Sequence, residues 1–117
     1  MVNADDAWDT TKGSMDVTLS IVDTGLDYRH EDLEGRVTND VGGDWLIPGG
    51  AGFDHGTHCG GCAAATTGNG IGTAGPSNSR LIGYDMFDTT RAEDAIVESA
   101  DKGADVISMS WSAGERR

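Results

Sequence analysis

Three short runs rich in branched apolar residues, 17–22, 80–86 and 104–110, alternate with segments of helical character, and that order leaves few folds open. Val17-Thr18-Leu19-Ser20-Ile21-Val22 is bounded by Gly13-Ser14 before it and Asp23-Thr24-Gly25 after it, as expected of a strand buried in a parallel sheet. Residues 33–53 are glycine-rich and aperiodic and read mainly as loop, with one short strand near 44–47. A helix is expected to begin near Gly56 or Thr57 and to run through small residues to Ala65, where Gly68-Asn69-Gly70-Ile71-Gly72 breaks it. Thr90-Arg91-Ala92-Glu93 fits a capping box, and Ala92, Ile96, Ser99 and Ala100 fall on one face of a second helix that ends at Gly103. Strands separated by helices predict an α/β fold built from right-handed βαβ units, a doubly wound parallel sheet or part of one. Ligands of such sheets bind at the carboxyl ends of the strands, where Asp23 sits and where the loop before His55 arrives.

Charge narrows the choice of partners. Twenty Asp and Glu against eight Lys and Arg give a formal charge of −12 over 117 residues, and Lys12 and Lys102 are the only lysines. Phosphate binding needs a basic surface, so nucleic acid is excluded as a partner. The acidic excess is spread along the chain, which fits a surface adapted to high salt, where ions screen the self-repulsion. No apolar run approaches the ~20 residues that span a bilayer, so no membrane partner is expected. The start Met1-Val2-Asn3-Ala4-Asp5-Asp6 has neither the basic nor the apolar region of a signal peptide.

Cys59 and Cys62 form a Cys-Gly-Gly-Cys motif within the first helix. Three readings are open: a redox pair, metal ligands together with His55 and His58, or small thiols buried in a packed helix. The third is the expectation, because a zinc site would want a second pair of ligands and buried thiols are common.

Asp23 and His55 carry the chemistry. A carboxylate at a strand end facing an imidazole at a helix start can accept the hydrogen bond of one ring nitrogen and leave the other free as a general base. Such a pair serves a nucleophile.

Their surroundings are specific. Ile21-Val22-Asp23-Thr24-Gly25-Leu26-Asp27 resembles the aspartate motif of subtilisin-like serine proteases, and His30-Glu31-Asp32-Leu33 resembles the His-Pro-Asp-Leu that follows it, with Glu31 in place of proline. His55-Gly56-Thr57-His58-Cys59-Gly60-Gly61 resembles the family's histidine motif, and Asp105-Val106-Ile107-Ser108-Met109-Ser110 the strand that lines its substrate groove. The resemblance implies a serine endopeptidase acting outside the cell on peptide or protein substrates. In it Asp23 orients the imidazole, His55 is general base and then acid, and His58 is a buried structural histidine. Ser110, Trp111 and Ser112 form one edge of the groove. The family's Ser-Leu-Gly-Gly stands here as Ser110-Trp111-Ser112-Ala113, so the nearest pockets are expected to be reshaped.

The resemblance also implies a calcium site made by Asp32, the Asn69 amide and the carbonyls of Thr67, Ile71 and Thr73, set against the plainer reading of residues 67–73 as a Gly/Asn turn. The family's Gly-Thr-Ser nucleophile motif and its oxyanion asparagine do not occur, and neither Ser110 nor Ser112 replaces the nucleophile, because both lie along the groove strand. Residues 1–117 are therefore expected to be an incomplete catalytic domain, inactive by itself. The other function class is a noncatalytic domain that binds peptides or a partner chain. Strand 104–110 would sit inside a larger sheet, so self-association or a complementing polypeptide is expected at its edge.

Overall fold

Each of the three apolar runs forms a strand in the computed structural model, which describes residues 2–37, 54–86 and 91–112. In chain order the elements are α1 (Ala4–Trp8), β1 (Thr18–Asp23), α2 (Asp54–Ala64), β2 (Arg80–Asp85), α3 (Ala92–Asp101) and β3 (Val106–Ser108). The strands make one parallel sheet in the order β2-β1-β3, with Asp23 beside Asp85 at the carboxyl edge.

The central strand is buried on both faces, and its side chains divide between two cores. Successive strand side chains point to opposite faces. Ile21 packs with Leu26, Leu33, Leu81 and Ala64 of α2, whereas Val22 packs with Ile82, Tyr84 and Ala95 of α3. One helix thus covers each face, the doubly wound arrangement in which a strand needs apolar residues at every position. Fully burying a side chain of this size contributes about 1.5–3 kcal/mol, so these few residues carry much of a small core. Buried Arg36 reinforces the first layer, donating to the carbonyls of Ser79, Asp32 and Ala64 and to the Thr66 hydroxyl. Those bonds tie the end of α2 to the turn after β1 and to the start of β2.

Several boundaries differ from expectation. The first long helix opens at Asp54, ahead of Gly56, and α1 was not legible in the sequence: it is five residues long, and the chain there is fixed by Trp8 Nε1 donating to Pro76 O at 2.9 Å. The cap of α3 is Arg91, without a side-chain capping bond, and the Arg91 guanidinium pairs with Glu93 instead. Thr90, with the expected strand at 44–47, lies outside the described residues. The third strand spans Val106–Ser108 and not 104–110. At its start Ala104 N–H is taken by Ser99 O (2.9 Å) in the turn that ends α3. At its end the Val22 carbonyl, on the side of β1 that faces β3, accepts the Trp111 indole N–H at 2.7 Å, so the backbone ladder stops.

Candidate active site

The end of β1 and the start of α2 are locked together before any catalytic contact is considered. Thr24 Oγ1 accepts Gly56 N–H (2.9 Å), and Thr57 Oγ1 accepts Asp27 N–H (2.8 Å). A Cβ at position 56 would lie 2.1 Å from Gly25 O, so only glycine allows the helix to start this close to the strand end. Leu26 packs in the α2-side core, against Gly60 of α2 and Gly83 of β2. Neither threonine is marked in the sequence for this contact, although each sits inside one of the two motifs.

This lock brings Asp23 and His55 together. Asp23 is 1% exposed and His55 is 58% exposed at its side chain, with Asp23 Oδ1 and His55 Nδ1 2.7 Å apart. Asp23 Oδ1 also accepts Thr24 N–H at 2.8 Å, while Oδ2 is buried with no hydrogen-bond partner among the described residues. A buried carboxylate against Nδ1 places the proton on that nitrogen and leaves Nε2 as the acceptor nitrogen of a ring that is more than half exposed. The arrangement is that of a general base held in one tautomer.

Cys59 stands beside the pair. Its Sγ is 3.8 Å from His55 Nδ1, and one ligating atom each from Asp23, His55 and Cys59 fit within 4.8 Å of one another. Burial pushes the Cys59 thiol up, opposed by a hydrogen bond with the Ser110 side chain. Two expectations are corrected here. Cys62 is exposed instead of buried, and so is His58, whose Nε2 lies 3.5 Å from Cys62 Sγ. The cause is helical spacing: Gly60 and Ala64 face the sheet, which turns His58 and Cys62 outward.

Ser110 and Ser112 are exposed just past β3, and Ser110 is brought to Cys59 and so to the Asp23–His55 pair. Trp111 is half-buried, packed on the cluster of Val22, Ile82, Tyr84 and Ala95 and bonded to Val22 O. Its indole is fixed to the sheet, which anchors the segment between the two serines.

Away from this pair, the loop after α2 folds over Asp32. The buried Asp32 carboxylate accepts Asn69 Nδ2–H at Oδ1 (2.8 Å) and Thr73 N–H at Oδ2 (2.7 Å), and Asn69 Oδ1 accepts Ile71 N–H at 3.3 Å. The Asn69 amide, then the Thr73 N–H, hold this carboxyl below the usual carboxylate range. Thr67 is fixed to one side, its N–H on Asn78 Oδ1 (3.0 Å) and its hydroxyl on Gly75 O (3.0 Å), while Ile71 is exposed. Asp32, Asn69 and Thr73 are thus drawn together at an open cleft lined by Thr66, Gly68 and residues 69–74.

Comparison with known proteins bears on this geometry. The chain is 41% identical over 122 residues to halolysin of Haloferax mediterranei, covering 93% of this chain and 24% of that protein. It is 41% identical over 128 residues to the halolysin-like extracellular serine protease Nep of Natrialba magadii, covering 93% of this chain and 23% of that one. Among solved structures, a complex of an Aeromonas sobria serine protease with a chaperone matches with a TM-score of 0.67 and 27% identity over 85% of this chain and 19% of the other. The chain therefore spans about a quarter of the length of these two proteases. No helix among the described residues is long and apolar enough to cross a membrane. Residues 14–117, which hold the Asp23–His55 pair, the Asp32 loop and β3, match the model of the subtilase family, peptidase S8, and the chain belongs to that family.

Proposed function

We propose that this chain supplies the acid–base half of a serine endopeptidase centre. The carrying observation is the 2.7 Å contact of a fully buried Asp23 with Nδ1 of an exposed His55. Asp23 holds the imidazole in the tautomer whose Nε2 can take a proton from a serine hydroxyl, and it stabilises the imidazolium that results. The same Nε2–H then protonates the leaving amine as the peptide bond breaks. An extended substrate runs beside residues 110–112, with the sheet-bound Trp111 fixing the edge it meets. The serine and the oxyanion donor lie outside the motifs present in these 117 residues, so the 117-residue polypeptide alone is inert. Among the described residues β3 is an edge strand with Val106 54% exposed, and this edge takes either a second copy or a complementing polypeptide. Secretion as a salt-adapted enzyme accords with the −12 charge and with the likeness to halolysin.

Calcium is part of the proposal. The Asp32 carboxylate, the Asn69 amide oxygen and the carbonyls of Thr67, Ile71 and Thr73 are the hard oxygen donors this cation takes. In the structure Asn69 turns its amide N–H to Asp32 Oδ1 and its oxygen to the Ile71 N–H, and Thr73 N–H holds Asp32 Oδ2, so a bound ion would take the place of these donors and require the Asn69 amide to turn its oxygen toward Asp32. When bound, the ion would cross-link the turn after β1 to the loop after α2.

The test is labelling by a serine-directed fluorophosphonate. The product of the full reading frame should label and the His55→Ala form should not, and the 117-residue polypeptide should not label. Labelling that survives His55→Ala would refute the assignment of the base.

A further inference from the structure

Cys59 and Cys62 have no part in that chemistry, yet each stands one helical turn from a histidine, Cys59 Sγ 3.8 Å from His55 Nδ1 and Cys62 Sγ 3.5 Å from His58 Nε2. Positions 55, 58, 59 and 62 follow the i, i+3, i+4, i+7 spacing that lines one helical face. Both thiols are free, and they differ in setting: Cys62 is exposed, whereas Cys59 is half-buried between α2 and the end of β3. The exposed thiol is the one a solute reaches, and the half-buried one is placed to resolve what forms there.

We infer that Cys59 and Cys62 are a redox-modifiable pair that closes an intrahelical disulfide when the chain meets a small disulfide such as oxidised glutathione, and that closure withdraws the Cys59 sulfur from His55. The second half rests on His55 being the general base. Cys62 Sγ attacks the glutathione disulfide, forming a mixed disulfide and releasing one glutathione thiol; His58 Nε2, in contact with Cys62, relays the proton. Cys59 Sγ then attacks Cys62 Sγ, the second glutathione departs as a thiol, and two S–H bonds have become one S–S bond while the oxidant is reduced to two thiols.

Helix geometry permits this at a cost. Side chains three apart have Cβ atoms about 5–6 Å apart, and a disulfide needs them at about 3.5–4.5 Å, so the two must approach by about 1.5 Å. A shift toward 3₁₀ geometry does not supply this, because its rise of about 2.0 Å per residue sets i and i+3 about 6 Å apart along the axis against about 4.5 Å in an α-helix, so the backbone must bend at the intervening residues. The two residues between are glycines of unequal freedom. A Cβ at Gly60 would reach Leu26 Cδ2 at 2.7 Å, which pins the inner side, whereas a Cβ at Gly61 would meet nothing within 4 Å. The adjustment therefore falls on the outer side of the helix, next to Cys62. A bond made under strain is readily reduced, so the pair is a reversible switch and not a structural cross-link.

The test equilibrates the reduced full chain in glutathione buffers of graded potential, quenches with an alkylating agent and maps the peptides by mass. The expected product is a Cys59–Cys62 disulfide, two hydrogens lighter and reversed by dithiothreitol. Cys59→Ser should instead accumulate a stable glutathione adduct on Cys62, and Cys62→Ser should leave Cys59 unmodified. In wild-type chain the His55 imidazole resonances should shift on oxidation while those of His30 stay in place. A persistent adduct on wild-type Cys62, modification of Cys59 in Cys62→Ser, or no modification of the native chain would overturn the pair. A disulfide with an unmoved His55 would overturn the coupling. Neither readout depends on peptide hydrolysis, so a failure here is distinguishable from a failure of the peptidase reading.

Discussion

Asp23 uses its two oxygens unequally: Oδ1 holds His55 and the Thr24 N–H, and Oδ2 is buried without a partner among the described residues. An unmet buried acceptor costs about 1–3 kcal/mol, so the site favours function over stability. Asp23→Asn keeps the shape but presents an amide to Nδ1 and reverses the imidazole tautomer. In the full-length protein kcat should fall by about 10⁴-fold with only a small loss of melting temperature, since the Thr24 N–H then meets an amide donor, and steady-state kinetics and calorimetry can check the two together. Asp32 behaves differently. The N–H groups of Asn69 and Thr73 lower its folded pKa, so its contribution is present above the unfolded value, about 3.9, and is lost as pH falls through the folded value. An acid titration of stability should therefore be less steep below about pH 4 in Asp32→Asn than in wild type. An unchanged slope would mean that the loop does not hold the carboxylate.

At the level of elements, the strand–helix alternation was readable because β1 and β2 are buried on both faces and so need branched or aromatic residues at successive positions. Asp23 and His55 were readable for a related reason: a strand end and a helix start are the two places where such a pair can meet, and both were marked by short motifs. The remainder depended on contacts between residues far apart in sequence. The anchoring of Trp111 was not readable, because its indole bonds Val22 O 89 positions away, just past the end of β3. His58 looked buried because the motif alone does not say which side of α2 meets the sheet. The start of α2 was misplaced by the low helix propensity of Gly56, which the Thr24 bond and the closeness of Gly25 override. Leu26 is where these contacts converge, so Leu26→Ala should cost about 2–5 kcal/mol in denaturant unfolding. Gly56→Ala should push α2 from Gly25 O and lower kcat with little change in KM, whereas a matching rise in KM would place the defect in substrate binding.

On the scale of the whole molecule, the −12 charge is the dominant long-range term. Salt shortens the Debye length from about 10 Å at 0.1 M to about 3 Å at 1 M, so the melting temperature should rise on going from dilute buffer to molar KCl. Millimolar calcium should add a separate increment that Asp32→Ala removes. Screening should also strengthen association through β3, read by light scattering, and Val106→Lys is the variant to use, because Ile107 packs in the α3-side core and its loss would unfold the sheet. An acid–base role for Asp23 and His55 in a serine endopeptidase can be checked by kcat/KM for a peptide substrate in the full-length protein and its His55→Ala form. A loss of at least about 10⁴-fold in the variant is expected. Activity within about tenfold of wild type, a barrier change of only about 1.4 kcal/mol, would contradict it.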